Sequence, residues 1–128
     1  MTTGQPGALR RLTSRLTRSA HDLDSDTLQR ESTQTGGVPI AGLRLRSRAT
    51  VVGEVRSVTL RPKSDVPALV VELWDGSDAL HLVWLGRRTI PGIEPGVRLR
   101  ATGRITRQRR VTTIFNPAYE IVRGGAHA

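Results

Sequence analysis

Two apolar runs joined by a short polar turn form the clearest feature of the chain. Residues 70–85 read Val-Val-Glu-Leu-Trp-Asp-Gly-Ser-Asp-Ala-Leu-His-Leu-Val-Trp-Leu. Asp-Gly between runs rich in β-formers is the strongest short-range signal for a hairpin. The pattern therefore predicts strands over Ala68 to Trp74 and Ala79 to Leu85, with the turn centred on Asp75 and Gly76.

The two hairpin strands are apolar on both faces, so the polar residues set their phase. Placing Glu72 and His81 on the outer face turns six large side chains toward the core: Leu69, Val71, Leu73, Leu80, Leu82 and Trp84. The outer face then also carries Val70, Val83 and Leu85, together with Trp74, whose ring is predicted to be exposed.

A strand over Arg48 to Leu60 precedes the hairpin, and its apolar positions change parity midway. Val51 and Val55 fit one alternation, whereas Val58 fits the opposite one. A glycine inside a strand marks a bend or a bulge. We therefore expect this first strand to bend over Gly53 to Ser57, as small barrels require for closure.

After a connection rich in Pro and Gly, the most regular alternation in the chain predicts a fourth strand over Val97 to Thr106. A fifth strand is predicted over Val111 to Phe115, and residues 116–122 close the domain. Five strands with a break between the third and the fourth predict an all-β fold, a five-stranded Greek-key barrel of the OB-fold type.

Apolar residues at helical spacing precede the predicted strands. Five apolar residues recur at steps of three and four and predict a first helix: Leu9, Leu12, Leu16, Ala20 and Leu23. A second short helix is predicted over Thr27 to Gln34, ended by Gly36-Gly37, with four residues suited to capping its start: Asp22, Asp24, Ser25 and Asp26.

These patterns divide the chain into three parts. Residues 1–42 are predicted to form a helical extension with one or two short α-helices and a disordered start. Residues 43–122 form the barrel, and residues 123–128 a disordered tail. The leucine stripe of the first helix packs on the barrel or on a second copy, and the alternatives are a phosphate-contacting arm and a membrane-surface helix.

The excess of positive charge is the most informative feature of the composition. The formal net charge is +9 at neutral pH, with a pI near 11.7. Residues 1–42 contain five basic and four acidic residues, whereas residues 43–128 contain fifteen basic and seven acidic residues. The excess positive charge is therefore concentrated in the β domain. A basic small domain usually binds a polyanion. Arg supplies nearly all of this charge, which genome base composition also favours.

The sequence offers no catalytic or metal-binding constellation. His21, His81 and His127 lie apart, without a nucleophile and acid around them. There is no cysteine for a disulfide or a thiolate site, and no phosphate-binding loop. We expect a cytoplasmic, non-enzymatic protein with no cofactor, no metal and no membrane contact.

A positive groove along phosphates, with flat side chains for stacking, is what sequence-tolerant single-strand binding needs. The candidates for the groove are one lysine and eight arginines: Arg56, Arg61, Lys63, Arg98, Arg100, Arg104, Arg107, Arg109 and Arg110. The candidates for stacking are Trp74, Trp84, Phe115 and Tyr119. Trp74 is preferred, because two or three of these rings are needed for the core.

Several short motifs resemble a known family in their order and spacing. These are Val52-Gly-Glu-Val, Leu73-Trp-Asp-Gly-Ser, the strand from Gly96 to Arg104, and Asn116-Pro-Ala-Tyr-Glu. Together they resemble nucleic-acid-binding OB-fold proteins, with the wedge domain of RecG-type helicases and small stand-alone actinobacterial OB-fold proteins as the nearest likenesses. The chain contains no helicase motor, so the resemblance implies binding without unwinding.

Two functions follow as expectations. The first is weak, sequence-tolerant binding of single-stranded or branched DNA, or of RNA, through the arginine-rich face. The alternative is a protein-protein interaction module that uses the barrel or the N-terminal helix, and a homodimer through that helix fits either function.

Overall fold

The structure is a computed structural model that describes residues 22–61 and 66–122. Helix α1 includes residues 22–34, and a short 3-10 helix follows at Ile40–Gly42. Seven strands form one sheet: β1 (Arg48–Arg61), β2 (Ala68–Trp74), β3 (Ala79–Leu85), β4 (Arg98–Arg104), β5 (Thr106–Gln108), β6 (Val111–Phe115) and β7 (Ala118–Val122). The predicted first helix up to Ala20, Lys63 and both predicted disordered ends lie outside the described residues.

Strand β1 connects the two halves of the sheet, because it pairs with β4 along its first half and with β2 along its second. The register with β2 shifts between Val55 and Ser57, which leaves Arg56 as an extra residue. This bulge confirms the predicted bend and explains the change of parity. At Gly53, an added Cβ would lie 2.6 Å from the Trp74 carbonyl oxygen, so only glycine admits the approach of β2.

The structure has seven strands where the sequence predicts five. The predicted fourth strand divides at buried Ile105, whose N–H donates to the Ser47 carbonyl (2.8 Å) and whose carbonyl accepts from the Arg46 N–H (2.7 Å). The second addition is β7, which continues the sheet beyond β4. The alternation of apolar and polar residues predicts neither change. At Ile105 the alternation continues without a break, although the backbone there no longer pairs within the β-ladder.

The sheet curls around a single apolar core. Its order is β5-β6-β3-β2-β1-β4-β7, yet Gly103 of β4 packs against Ile114 of β6 from the other half. Ile90 and Ile93, in the connection between β3 and β4, are buried in the same core. The six side chains predicted to point inward from the hairpin all belong to it, which confirms the phase.

The outer face of the hairpin is less exposed than predicted. Val70 and Val83 are buried, because Thr59 and Phe115 flank them in one row across four strands. Trp74, predicted to be exposed, is half-buried at the end of β2, two residues before Gly76, where α1 approaches the turn.

Helix α1 lies over the outer face of β1 and β4 and against the β2–β3 turn. The predicted capping residues from Asp22 to Asp26 lie inside the helix, and the Ser25 carbonyl oxygen there would lie 2.2 Å from a Cβ added at Gly76. The predicted end is confirmed: the Gly37 N–H donates to the Ser32 carbonyl (2.8 Å) and the Gly36 N–H to the Thr33 carbonyl (3.2 Å). This is a Schellman motif, with Gly36 at a φ of 91°.

The β2–β3 turn is fixed by the buried carboxylate of Asp75. One oxygen accepts from the backbone N–H of Ile40 (2.9 Å), and the other from the N–H (2.8 Å) and hydroxyl (2.6 Å) of Ser77 and the Asp78 N–H (3.1 Å). Hydrogen bonds to an ionised group are among the stronger ones in proteins. Asp75 therefore joins the predicted hairpin turn to the segment that enters β1.

We expect Gly53→Ala to lower the free energy of unfolding by roughly 1–3 kcal/mol, since the new methyl would overlap a backbone carbonyl. Gly42→Ala is the matched control, because a Cβ there meets nothing within 4 Å, and it should change stability by less than about 0.5 kcal/mol. Urea unfolding of both variants measures the difference. Equal stabilities would show that β1 does not depend on the close approach at Gly53.

Candidate nucleic-acid interface

A groove of about 260 Å³ crosses the outer face of β2, β3 and β6. Its floor is apolar and includes Val83, Leu85 and Phe115, while Arg61 and Arg109 stand at its sides. We refer to it as the β3–β6 groove. An apolar floor between two guanidinium groups fits a ligand that has flat apolar parts and negative charges.

Parallel pairing of β3 with β6 builds the floor. His81 lies beside Thr113 and Val83 beside Phe115, so alternate residues of both strands share the outer face. The Phe115 ring is 37% exposed and Leu85 is 49% exposed, although both are large apolar side chains. Exposed apolar side chains that cluster mark binding surfaces more often than isolated ones do.

The two guanidinium groups of the groove are available for a ligand. Among the described residues, the arginines in ion pairs with carboxylates are Arg56, Arg98 and Arg100. Arg61 and Arg109 are exposed and form none of these pairs. No described carboxylate therefore forms an ion pair with either guanidinium group of the groove.

The turn that carries Arg109 is conformationally strained. It joins β5 to β6 through Arg109 and Arg110, whose φ angles are 50° and 68°. A two-residue hairpin loop with two positive φ angles favours Asn-Gly, because side chains with a bulky Cβ substituent resist this region. Two arginines at such positions cost stability, and strain of this kind is concentrated at functional sites.

His81 extends the groove toward Glu72. Burial lowers the pKa of the His81 imidazole below its ordinary value of 6.5; Glu72 opposes this shift and Arg61 reinforces it. The lowered pKa favours the neutral imidazole, and protonation in acid adds a third positive group to the groove.

Two of the predicted binding arginines hold helix α1 to the sheet. Arg98 forms ion pairs with Glu31 and, at 3.9 Å, with Glu54. The Arg100 guanidinium donates to the Thr35 carbonyl at 2.8 and 3.0 Å and pairs with Glu120. A positive group near the carbonyl end of a helix interacts favourably with the helix dipole. The sequence showed an arginine face on β4, but α1 covers most of it.

The remaining predicted residues are spread over the molecule. Arg56 at the bulge pairs with Glu54 at 3.4 Å, and Arg104 lies at the end of β4. Arg107 is exposed on β5, on the opposite face from the groove residue Gln108. Trp74 lies at the other end of β2 from the groove residue Ala68. The predicted binding residues are therefore spread over more than one surface, and their part in binding stays a prediction.

Phe115 and His81 are two groove residues outside the predicted binding set. The sequence ranks Phe115 behind Trp74 as a stacking residue and places His81 on the outer face of its strand. Their outer parity was visible in the sequence. The parallel pairing of β3 with β6 was not, because it joins segments that the β4 and β5 strands separate.

The Asn116-Pro-Ala-Tyr-Glu motif fastens the end of β6 to the rest of the sheet. The Asn116 side chain accepts from the Leu85 N–H (2.9 Å), and the Trp84 indole N–H donates to the Pro117 carbonyl (3.3 Å). Tyr119 meets the Trp84 ring edge-on, with centroids 5.6 Å apart, and Glu120 pairs with Arg100. The motif therefore has a structural role, and none of its residues lines the groove.

Comparisons with known proteins support a distant structural relation. No family model matches the chain, and none of the curated proteins does. A solved structure of RecG bound to a three-way DNA junction matches with a TM-score of 0.57 at 19% identity. The match covers 69% of this chain and 12% of the RecG chain, so the chain spans a small part of that protein's length. At this identity the likeness shows the fold alone.

In residues 22–61 and 66–122, no group of three or more potential metal-ligating side chains comes together. The same residues contain no helix that is long and apolar enough to cross a membrane.

Replacing the strained turn by the residues that it favours, Arg109→Asn with Arg110→Gly, should raise the free energy of unfolding by about 1–2 kcal/mol. The same change should weaken any polyanion bound at the groove, because it removes two positive charges. Urea unfolding and a binding titration at low salt measure the two effects. A variant that is no more stable than the parent would show that the turn is not strained.

A ligand that brings phosphates to His81 should bind more tightly as the pH falls. The pKa of free His81 lies below 6.5, and a nearby phosphate raises it, so binding takes up a proton in acid. Affinity should therefore increase as the pH falls from neutral through the range below 6.5 in which free His81 takes up its proton. His81→Gln should remove this increase, whereas an identical pH profile for both proteins would exclude His81 from the site.

Proposed function

We propose that the chain is an OB-type barrel. Three observations support it: the β1-β2-β3 meander, the pairing of β1 with β4, and the parallel pairing of β3 with β6. A single residue separates β4 from β5, so one extended segment pairs first with β1 and then with β6. In this proposal β4 and β5 together act as the fourth strand and link the two halves of the sheet, and β7 is an addition to the five-stranded pattern.

We propose that this barrel binds single-stranded or branched nucleic acid in the β3–β6 groove. The observation that carries the proposal is the exposed Phe115 ring on an apolar floor between Arg61 and Arg109. Bases stack on flat side chains while guanidinium groups bind the phosphates on either side. OB-folds use the faces of these strands and the flanking loops for oligonucleotides.

The composition of the groove determines the strength and the selectivity of the proposed binding. One aromatic ring offers one stacking position, and the described arginines offer few phosphate contacts. Phosphate contacts and stacking do not read the base sequence. We therefore propose weak, sequence-tolerant binding, and three phosphate contacts would give a salt slope of about −2 for single strands.

DNA is the proposed ligand, on the ground that the RecG structure is bound to a three-way DNA junction. The groove residues do not distinguish DNA from RNA, because none is specific for a ribose hydroxyl. The proposed role is a cytoplasmic, non-enzymatic binder without a cofactor, in which the groove positions a strand and performs no chemistry.

A protein-binding function is the second candidate. The observation in its favour is edge strand β7, which pairs with β4 along one side and exposes Tyr119 and Ile121. An open strand edge is a template for a further strand. The predicted homodimer through the leucine-striped helix is compatible with either candidate.

The test of the main proposal is a titration of labelled single-stranded DNA at low salt. Phe115→Ala should weaken binding by roughly 1–3 kcal/mol, about five- to hundredfold, because a stacking surface is lost. Leu23→Ala, which removes an exposed side chain from α1, is the matched control and should leave affinity unchanged.

Salt dependence supplies a second readout. Arg61→Ser with Arg109→Ser should flatten the salt slope by about 1.4, since each lost phosphate contact contributes roughly 0.7 for single strands. If the parent protein binds no single strand, fork or RNA at low salt, nucleic-acid binding is wrong and the protein-binding candidate takes its place.

A further inference from the structure

A second basic surface lies outside the β3–β6 groove and shares no residue with it. It consists of Arg44, Arg46, Arg48 and Arg104, from the loop before β1, the start of β1 and the end of β4. All four are exposed, and among the described residues none forms an ion pair with a carboxylate. We refer to it as the β1–β4 surface.

The arrangement of these arginines is unfavourable for the free protein. Arg48 and Arg104 lie directly opposite each other in the antiparallel register of β1 and β4. Like charges at opposed positions destabilise a strand pair. Arg46 has a φ of 70°, in a turn where the Ser47 hydroxyl donates to the Arg44 carbonyl (2.7 Å). A ligand that carries negative charge would relieve the repulsion.

The neighbouring side chains determine which anion fits. A shallow depression of about 670 Å³ runs beside Arg44 and Arg48, lined in part by Ser47, Thr50 and Thr102. Hydroxyl groups and guanidinium groups bind phosphate oxygens. Among the described residues, no aromatic side chain lines the depression. The surface therefore offers phosphate contacts and no stacking position, which suits a base-paired segment, whose bases are already stacked.

We propose that the β1–β4 surface binds the phosphate backbone of a duplex segment. The inference rests on the proposed function in one respect: the duplex joins the unpaired strand held in the β3–β6 groove. A protein with both sites prefers a duplex that carries a single-stranded tail over either part alone, since binding at one site makes binding at the second intramolecular, with a high effective concentration.

The experiment compares three labelled DNAs at low salt: a single strand of about ten nucleotides, a blunt duplex, and the duplex with that strand as a tail. Arg48→Thr with Arg104→Thr is the main variant, because it repeats the adjacent Thr50–Thr102 pair, whose hydroxyls lie 2.8 Å apart. The parent protein should bind the tailed duplex most tightly.

The main variant should lose about tenfold or more in affinity for the tailed duplex, and its salt slope should fall by about 1.8 for two lost duplex contacts. Its affinity for the single strand should stay unchanged. Its thermal midpoint should stay the same or rise, because a repulsive pair is removed. Arg44→Ser with Arg46→Gly tests the same surface independently and places glycine at the positive φ.

Arg30→Ser with Arg88→Ser is the charge-matched control, with both residues exposed on α1 and in the β3–β4 connection. The inference is overturned if this control weakens tailed-duplex binding as much as the main variant does, or if the main variant loses single-strand affinity equally. If the parent binds the blunt duplex through Arg48 and Arg104 but no single strand, this inference stands and the groove proposal fails.

Discussion

The fold depends on one long strand that serves two neighbours. Strand β1 pairs with β4 before its bulge and with β2 after it, and the change of partner is possible because β2 approaches the backbone closely at Gly53. The bend lets the sheet curl until β4 meets β6. A straight strand with a side chain at this position would leave the two halves of the sheet apart and the core open.

The same bend divides the outer face of the sheet into unlike parts. Over β1 and β4, Val52 is covered, and Arg98 and Arg100 bind α1 and its carbonyl end. Over β2, β3 and β6 the sheet stays open, and Phe115 is exposed beside charges that have no carboxylate partner among the described residues. The arginines therefore have two roles. Arg98 and Arg100 stabilise the protein, whereas the arginines of the groove are available to a ligand.

Local patterns predicted the strands well and the site poorly, for a physical reason. The bounds of β2, β3 and β6 and the inward phase of the hairpin follow from alternation and turn chemistry, which neighbouring residues determine. Whether an arginine binds within the protein or is available to a ligand depends on contacts between distant segments, such as that of Arg100 with the helix end at Thr35. Alternation on β4 is the same whether its outer face is covered or open, so the sequence could not separate the two roles. The break in the strand at Ile105 is unpredictable for the same reason. Its buried side chain fits the alternation, although its backbone pairs with Arg46 and Ser47.

The central claim is that an unpaired strand binds across β3 and β6. Amide chemical shifts of the protein, followed as a short oligodeoxythymidine is added, test it most directly. The account predicts the largest changes at residues 81–85 and 106–115, with little change along α1. Changes confined to α1 or to β7, or none at saturating oligonucleotide, would contradict it.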